Sequence, residues 1–241
     1  MTLVLSLEWS AAAITAAVTD TAIDTVVSEG IATVPADTPD DWWSATCAAT
    51  RAAVDGAIPF GADGKALRSI IVGGHEPPGG LVVIDAAGDV VRCLTGTHPD
   101  SKPDAEWLVS HLDGGADAWS AATGLVPFPG STVALLSWLH RSEPDAWQAM
   151  ARITVPSGWL VERLGGAPAV DAHVAVGTGV LDRAARTWRT DLLAVVDSAR
   201  DWLPMLPAVT TTADPVGMVS ADAASATGLP VGISIHVGER R

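Results

Sequence analysis

Residues 3 to 20 read LVLSLEWSAAAITAAVTD. Leu3, Leu5 and Leu7 alternate with Val4, Ser6 and Glu8, the period-two pattern of a strand with one strongly buried face, ending near Glu8. β-Branched residues return over Ile14 to Val18, and again over Thr25 to Thr33 beyond the turn-prone TDTAID. The chain is therefore expected to open with three hairpin-linked antiparallel strands.

Working outward, TPDDWWSATCAATRAAVDGA places Trp43, Cys47, Thr50 and Val54 three or four apart behind a capping-type Thr38 and acidic first-turn residues, which predicts a helix. RSIIVGG and GLVVIDAAGDVVRCL read as further strands, the latter pair joined by the AAGD turn. From Pro103 the pattern turns helical through PDAEWLVSHL, DAWSAAT, STVALLSWLHRSE and EPDAWQAMA. APAVDAHVAVGTGVLD reads as a loop with short strands, and RTDLLAVVDSARDWL as a helix. The last stretch, MVSADAASATGLPVGISIHVGERR, gives a helix, a Gly-Leu-Pro turn and a final strand.

At 241 residues, 48% hydrophobic and 17% charged, the chain has the composition of a packed globular fold, expected here as one interlocked domain over 1–241. No apolar run reaches the roughly 18 to 20 residues of a membrane span, and MTLVLSLEWS lacks the basic region of a signal peptide, so a cytoplasmic protein without a membrane partner is expected. A formal charge of -14 repels a phosphate backbone and argues against nucleic acid. The lysines are Lys65 and Lys102 alone, a scarcity that weighs against phosphotransfer. Cys47 and Cys93 lie far apart and read as free thiols, and the ten tryptophans, mostly at helical core spacings, read as packing residues.

Taken in order, the segments DDWWSAT, GLVVIDAAGDVVR, AEWLVSHLDGGADAWSAATGLVPFPGSTVALLSWLHRSEPDAW, ITVPSGWLVERLGG, VDAHVAVGTGVLDRAARTWRTDLL and VSADAASATGLPVGISI resemble the amino-terminal domain of the FGGY carbohydrate kinases, the xylulose kinases in particular. The resemblance implies an α/β, ribonuclease H-like (actin-type ATPase) fold: a mixed sheet opening with three antiparallel strands, flanked by helices, with 103–150 as a helical insertion. In such kinases sugar and ATP lie in a cleft between two domains of this type. The chain is expected to correspond to the first of them, with the carboxy-terminal kinase domain absent.

The resemblance also locates a site. The family's first hairpin carries Asp at the end of strand one and Gly-Thr-Ser/Thr at the turn; the matching positions are Glu8, Ser10, Ala11, Ala12 and Thr15. Glu8 is the candidate Mg2+ ligand, and Glu8 with Ser10 the candidate nucleotide contact, because a carboxylate suits hydrated magnesium and a hydroxyl suits a phosphate. The family's Gly-Gln-Met-His-Gly turn becomes GGHEPPGG, with Pro77 and Pro78 inserted, Gly79 at the His position and His75 four residues earlier. Its Trp-Asn-Asp-x-Arg motif becomes GTHPDSK, where Thr97, His98, Pro99 and Asp100 stand and His98 and Asp100 are the candidate substrate contacts. The family's catalytic Asp follows the strand matching GISIHVGERR, where Glu239 is the nearby carboxylate beside Arg240 and Arg241.

No catalytic residue is assigned. The leading expectation is a catalytically inactive binding or interaction module that needs no cofactor by itself. Alternatives are half of an ATP- and Mg2+-dependent pentulose kinase completed by a separate chain, or a structural dimerisation module. A homodimer or a partner domain is expected on the face of the missing second domain.

Overall fold

The computed structural model describes residues 2–10, 12–60, 66–76, 79–95, 98–210 and 214–238. In chain order the elements are β1 (Leu3–Ser10), β2 (Ala13–Asp20), β3 (Thr25–Thr33), α1 (Pro39–Ala57), β4 (Leu67–Glu76), β5 (Leu81–Ile84) and β6 (Val90–Leu94). Helices α2 (Lys102–His111), α3 (Gly115–Thr123), α4 (Thr132–Ser142) and α5 (Pro144–Ala149) follow, then β7 (Arg152–Thr154) and α6 (Pro156–Leu164). The remainder holds β8 (Ala169–Asp171), α7 (Ala172–Val176), β9 (Leu181–Asp182), β10 (Thr187–Trp188), α8 (Thr190–Leu193), β11 (Ala208–Thr210), β12 (Gly217–Met218), α9 (Ala221–Thr227) and β13 (Ser234–Val237). Two compact units share these elements: Met1–His75 with Ser157–Asp171 and Thr210–Arg241, and Glu76–Pro156 with Ala172–Val209.

The first unit is built on a six-stranded mixed sheet in the order β12-β13-β4-β1-β2-β3. The opening hairpins pair as the alternation requires: β1 with β2 from Leu3↔Asp20 to Trp9↔Ile14, and β2 with β3 antiparallel, with a bulge between Val18 and Thr19. β1 runs two residues past Glu8 because Trp9 belongs to the same buried face as Leu3, Leu5 and Leu7. β13 lies parallel to β4. The Leu3 amide donates to the Ala66 carbonyl at 3.2 Å, while a Cβ at Gly73 would stand 3.6 Å from Glu8 Cγ, so β1 also runs in the direction of β4. The carboxyl ends of β1, β4 and β13 thus emerge on one edge.

Helix α1 covers the leucine face. Thr38 caps it by accepting from the Asp41 amide at 3.1 Å, with Pro39 and two acids in the first turn. The buried stripe is Trp42, Ala45, Thr46, Ala49, Thr50, Ala53 and Ala57, whereas Trp43, Cys47 and Val54 of the expected stripe are only half-buried. The shift has a steric cause. A Cβ at Gly30 on β3 would collide with the Ala49 carbonyl and lie 2.7 Å from the Ala53 nitrogen, so α1 seats its alanine seam directly on the strand. Trp42, fully buried, packs edge-to-face on Trp9 (4.6 Å) and on Trp159 of α6 (5.6 Å). On the opposite face of the sheet Glu8, Glu29, Ile31 and Thr33 are exposed, and Val4, Ala13, Thr15 and Ala17 are half-buried.

The second unit contains a three-stranded antiparallel sheet, β6-β5-β7. All four residues of β5, LVVI, are buried, as a continuous apolar run implies for a strand covered on both faces. In the AAGD turn the Asp85 carboxylate accepts from the amides of Ala87 and Asp89, both at 2.9 Å, and Gly88 adopts φ 93°. Leu108, Trp119, Leu135, Leu136 and Leu139 from α2, α3 and α4 form the core against it.

Two sequence expectations change. The segment 167–182 contains the five-residue helix α7 besides its short strands. The helix expected over RTDLLAVVDSARDWL is confined to α8, Thr190–Leu193. Asp197 stops it: its carboxylate takes the Ala199 amide at 2.9 Å, its carbonyl takes the Trp202 indole N–H at 2.9 Å, and Trp202 turns into the core. Seven of the ten tryptophans are buried, at 9% exposure or less, in line with a packing role. Cys47 and Cys93 are free thiols, and burial pushes the Cys47 thiol up against the lowering fields of Arg51 and Arg163. Among the described residues no helix is long and apolar enough to cross a membrane.

Candidate functional site

The strand edge where β1, β4 and β13 end is the natural ligand site of such a sheet, because parallel strands leave a crevice at their carboxyl ends. Glu8 stands there, exposed, beside Gly73. A Cβ at Gly73 would lie 3.0 Å from the Leu7 carbonyl and 3.7 Å from the Gly238 carbonyl, so glycine keeps these strand ends close together. Ser10, two residues beyond Glu8, has its hydroxyl engaged twice: it donates to the Ala13 carbonyl at 3.0 Å and accepts from the Ala13 amide at 3.1 Å. The Ser10 hydroxyl and the Ala13 amide are therefore both bonded within the turn. Thr15 lies opposite Glu8 in the ladder and is half-buried. Ala11 and Glu239 to Arg241 fall outside the described residues.

The candidate sugar contacts belong to the second unit. His98 is half-buried with its ring 4.4 Å from that of Trp138, and its carbonyl accepts from the Ser101 hydroxyl at 2.8 Å. Its Nδ1 is buried without a hydrogen-bond partner among the described residues. Asp100 is exposed on the following 3-10 turn, Pro99–Ser101, and its field reaches Arg141. Gly79 has φ 111°, and a Cβ there would collide with the Gly130 carbonyl. No side chain fits the position where the family places its histidine unless the Gly130 loop moves. Thr97, Pro77 and Pro78, together with the side chain of His75, fall outside the described set.

Sequence reasoning missed a third constellation. Asp104, 4% exposed in the first turn of α2, accepts from Arg141 Nη2 at 2.7 Å and Nε at 3.3 Å and from the Ser137 hydroxyl at 3.2 Å. The bond to Asp104 raises the Arg141 guanidinium above its ordinary range. Its only sequence signal was an acid one residue after a proline at a helix start, which also reads as a capping residue.

Glu8 can supply one oxygen to a hydrated Mg2+, which commonly uses one or two carboxylates. The Ser10 hydroxyl, the candidate phosphate contact, is engaged within its own turn. Among the described residues no group of three His, Cys, Asp or Glu side chains is placed to hold a metal ion.

The model for the FGGY family of carbohydrate kinases, N-terminal domain, matches residues 15–239. This chain belongs to the FGGY family of carbohydrate kinases. It is 33% identical over 156 residues to a xylulose kinase of Streptomyces coelicolor, covering 64% of this chain and 30% of that one. It is 30% identical over 202 residues to an autoinducer-2 kinase of Klebsiella pneumoniae, covering 81% and 35%. In three dimensions it is similar to xylulose kinases from Rhodospirillum rubrum (TM-score 0.84, 24% identity, 98% of this chain and 48% of that one) and Bifidobacterium adolescentis (0.78, 25%, 98% and 53%). The fold is therefore that of the FGGY sugar kinases, the ribonuclease H-like, actin-type ATPase fold, and this FGGY chain spans about half the length of the solved structures it matches.

Proposed function

We propose that the chain acts as a xylulose-kinase-like binding or interaction module that does not transfer phosphate by itself. Ser10 carries this reading. Phosphoryl transfer is mostly positioning and charge neutralisation, so it needs free amides, hydroxyls and cations around the phosphates. Here the hairpin hydroxyl and the Ala13 amide bond each other, and Glu8 is an exposed carboxylate at the strand edge. The closed Gly79 position supports a parallel loss of the sugar contact.

Calorimetric titration of MgATP, with and without D-xylulose, tests it. Absence of heat at millimolar nucleotide is expected. Micromolar binding lost in Glu8→Gln and Ser10→Ala would show that the hairpin reopens around a nucleotide, and ADP release by the chain alone from MgATP and D-xylulose would overturn the module reading.

A second reading follows from family membership, since the chain matches the amino-terminal domain of carbohydrate kinases. In it the chain is one half of an ATP- and Mg2+-dependent kinase acting on a pentulose hydroxyl, completed by a separate polypeptide. ADP release from MgATP and D-xylulose on mixing with the carboxy-terminal half of the Streptomyces coelicolor xylulose kinase would favour it. Either reading needs a docking surface. The sheet face opposite α1, with Ile31 64% exposed among half-buried Val4, Ala13 and Ala17, is the surface we assign to a second copy or a partner domain.

A further inference from the structure

We propose that the cleft between α2 and α4 binds a small neutral polyol or monosaccharide, independently of any kinase chemistry. The cleft holds about 450 Å3, within the range of small-molecule sites. Its polar groups are the Asp104, Ser137 and Arg141 network and His140; Trp107 and Val196 supply apolar wall. Trp107 is a large aromatic left 41% exposed, and its ring is held in place by stacking on His111 at 4.1 Å. His140 is likewise oriented, stacked on Trp147 at 4.3 Å with 19° between planes. Both rings are positioned before any ligand arrives, which lowers the ordering cost of binding.

Charge selects the ligand class. Arg141 and Asp104 neutralise each other, and Asp100 adds negative field at Arg141, so the cleft offers an anion no net attraction. Arg141 commits Nε and Nη2 to Asp104, leaving Nη1 without a partner among the described residues, on a side chain 58% exposed. Free N–H donors, a hydroxyl, an imidazole and an indole face together match a molecule with several hydroxyls and an apolar C–H face. A phosphate or carboxylate matches only the donors.

The test is an NMR titration of the 15N-labelled indole groups with xylitol, D-xylulose and inorganic phosphate in turn. Saturable shifts with xylitol or D-xylulose in the millimolar range are expected, weakened about tenfold or more in Trp107→Ala. Trp107 is partly exposed, so that variant is expected to keep its fold, checked by circular dichroism; Arg141→Lys provides a second, charge-preserving variant expected to weaken the shifts. No saturable shift with either polyol, or binding unchanged in Trp107→Ala, would overturn the site. Saturation by phosphate in place of the polyols would overturn the ligand class.

Discussion

A methyl group added at Gly30 meets the Ala49 carbonyl of α1, backbone that cannot swing aside. Gly30→Ala is therefore expected to lift the helix off β3 and destabilise the first unit by about 1–3 kcal/mol, the usual range for overpacking, read as a lower urea midpoint. Neighbouring Ala52→Gly removes only an exposed methyl from a helix and is expected to cost no more than about 1 kcal/mol. Charge can be argued at the same scale. Arg189 donates to both carboxylate oxygens of Asp191, at 2.8 and 2.7 Å, and holds that carboxyl below its ordinary 3.8. A depressed acid contributes stability above its unfolded pKa and loses it as pH falls through the folded one, so this pair fades only below about pH 4. Because Asp191 is 61% exposed, Asp191→Asn is expected to cost less than about 1 kcal/mol, and its 13C carboxyl titration to show a midpoint below 3.8. Individual residues were also where the sequence was least legible. Glu8 and Ser10 were placed by the resemblance to the family's first hairpin, but that Ser10 would bond Ala13 in both directions depends on hairpin geometry that the resemblance does not carry.

Elements were more legible, and for local reasons. The opening strands follow from alternation and β-branched runs, and the helix expected in MVSADAASATGLPV is α9. In the structure the Ser220 hydroxyl accepts from the Ala223 amide at 3.1 Å and Gly228 takes φ 78°. Ser220→Ala is expected to cost about 1 kcal/mol in thermal or urea unfolding. Two of the departures at this scale come from tertiary competition. The α1 stripe moved by one residue because Gly30 made an alanine seam more favourable than the Trp43–Val54 stripe that hydrophobicity favoured. The helix predicted after Arg189 stopped at Leu193 because Asp197 and Trp202 bond each other across a turn. Neither partner is visible in a window of local periodicity.

For the molecule as a whole, three antiparallel strands followed by parallel β4 and β13 bring the carboxyl ends of β1, β4 and β13 to one edge of the sheet. The same arrangement leaves the face opposite α1 with Ile31 64% exposed. Ile31 lies on β3, an edge strand of the sheet, where unpaired backbone invites pairing with another chain unless a charge discourages it, and Glu29, exposed beside it, is one such charge. If that face docks a second copy, light scattering at tens of micromolar gives twice the monomer mass, and Ile31→Lys returns it to the monomer without lowering the unfolding midpoint. If a partner domain occupies it instead, the wild-type chain is monomeric alone and Ile31→Lys weakens capture of a carboxy-terminal FGGY half. A monomer that captures no such half, with or without the substitution, removes the docking surface from this face and leaves Ile31 as an isolated exposed residue.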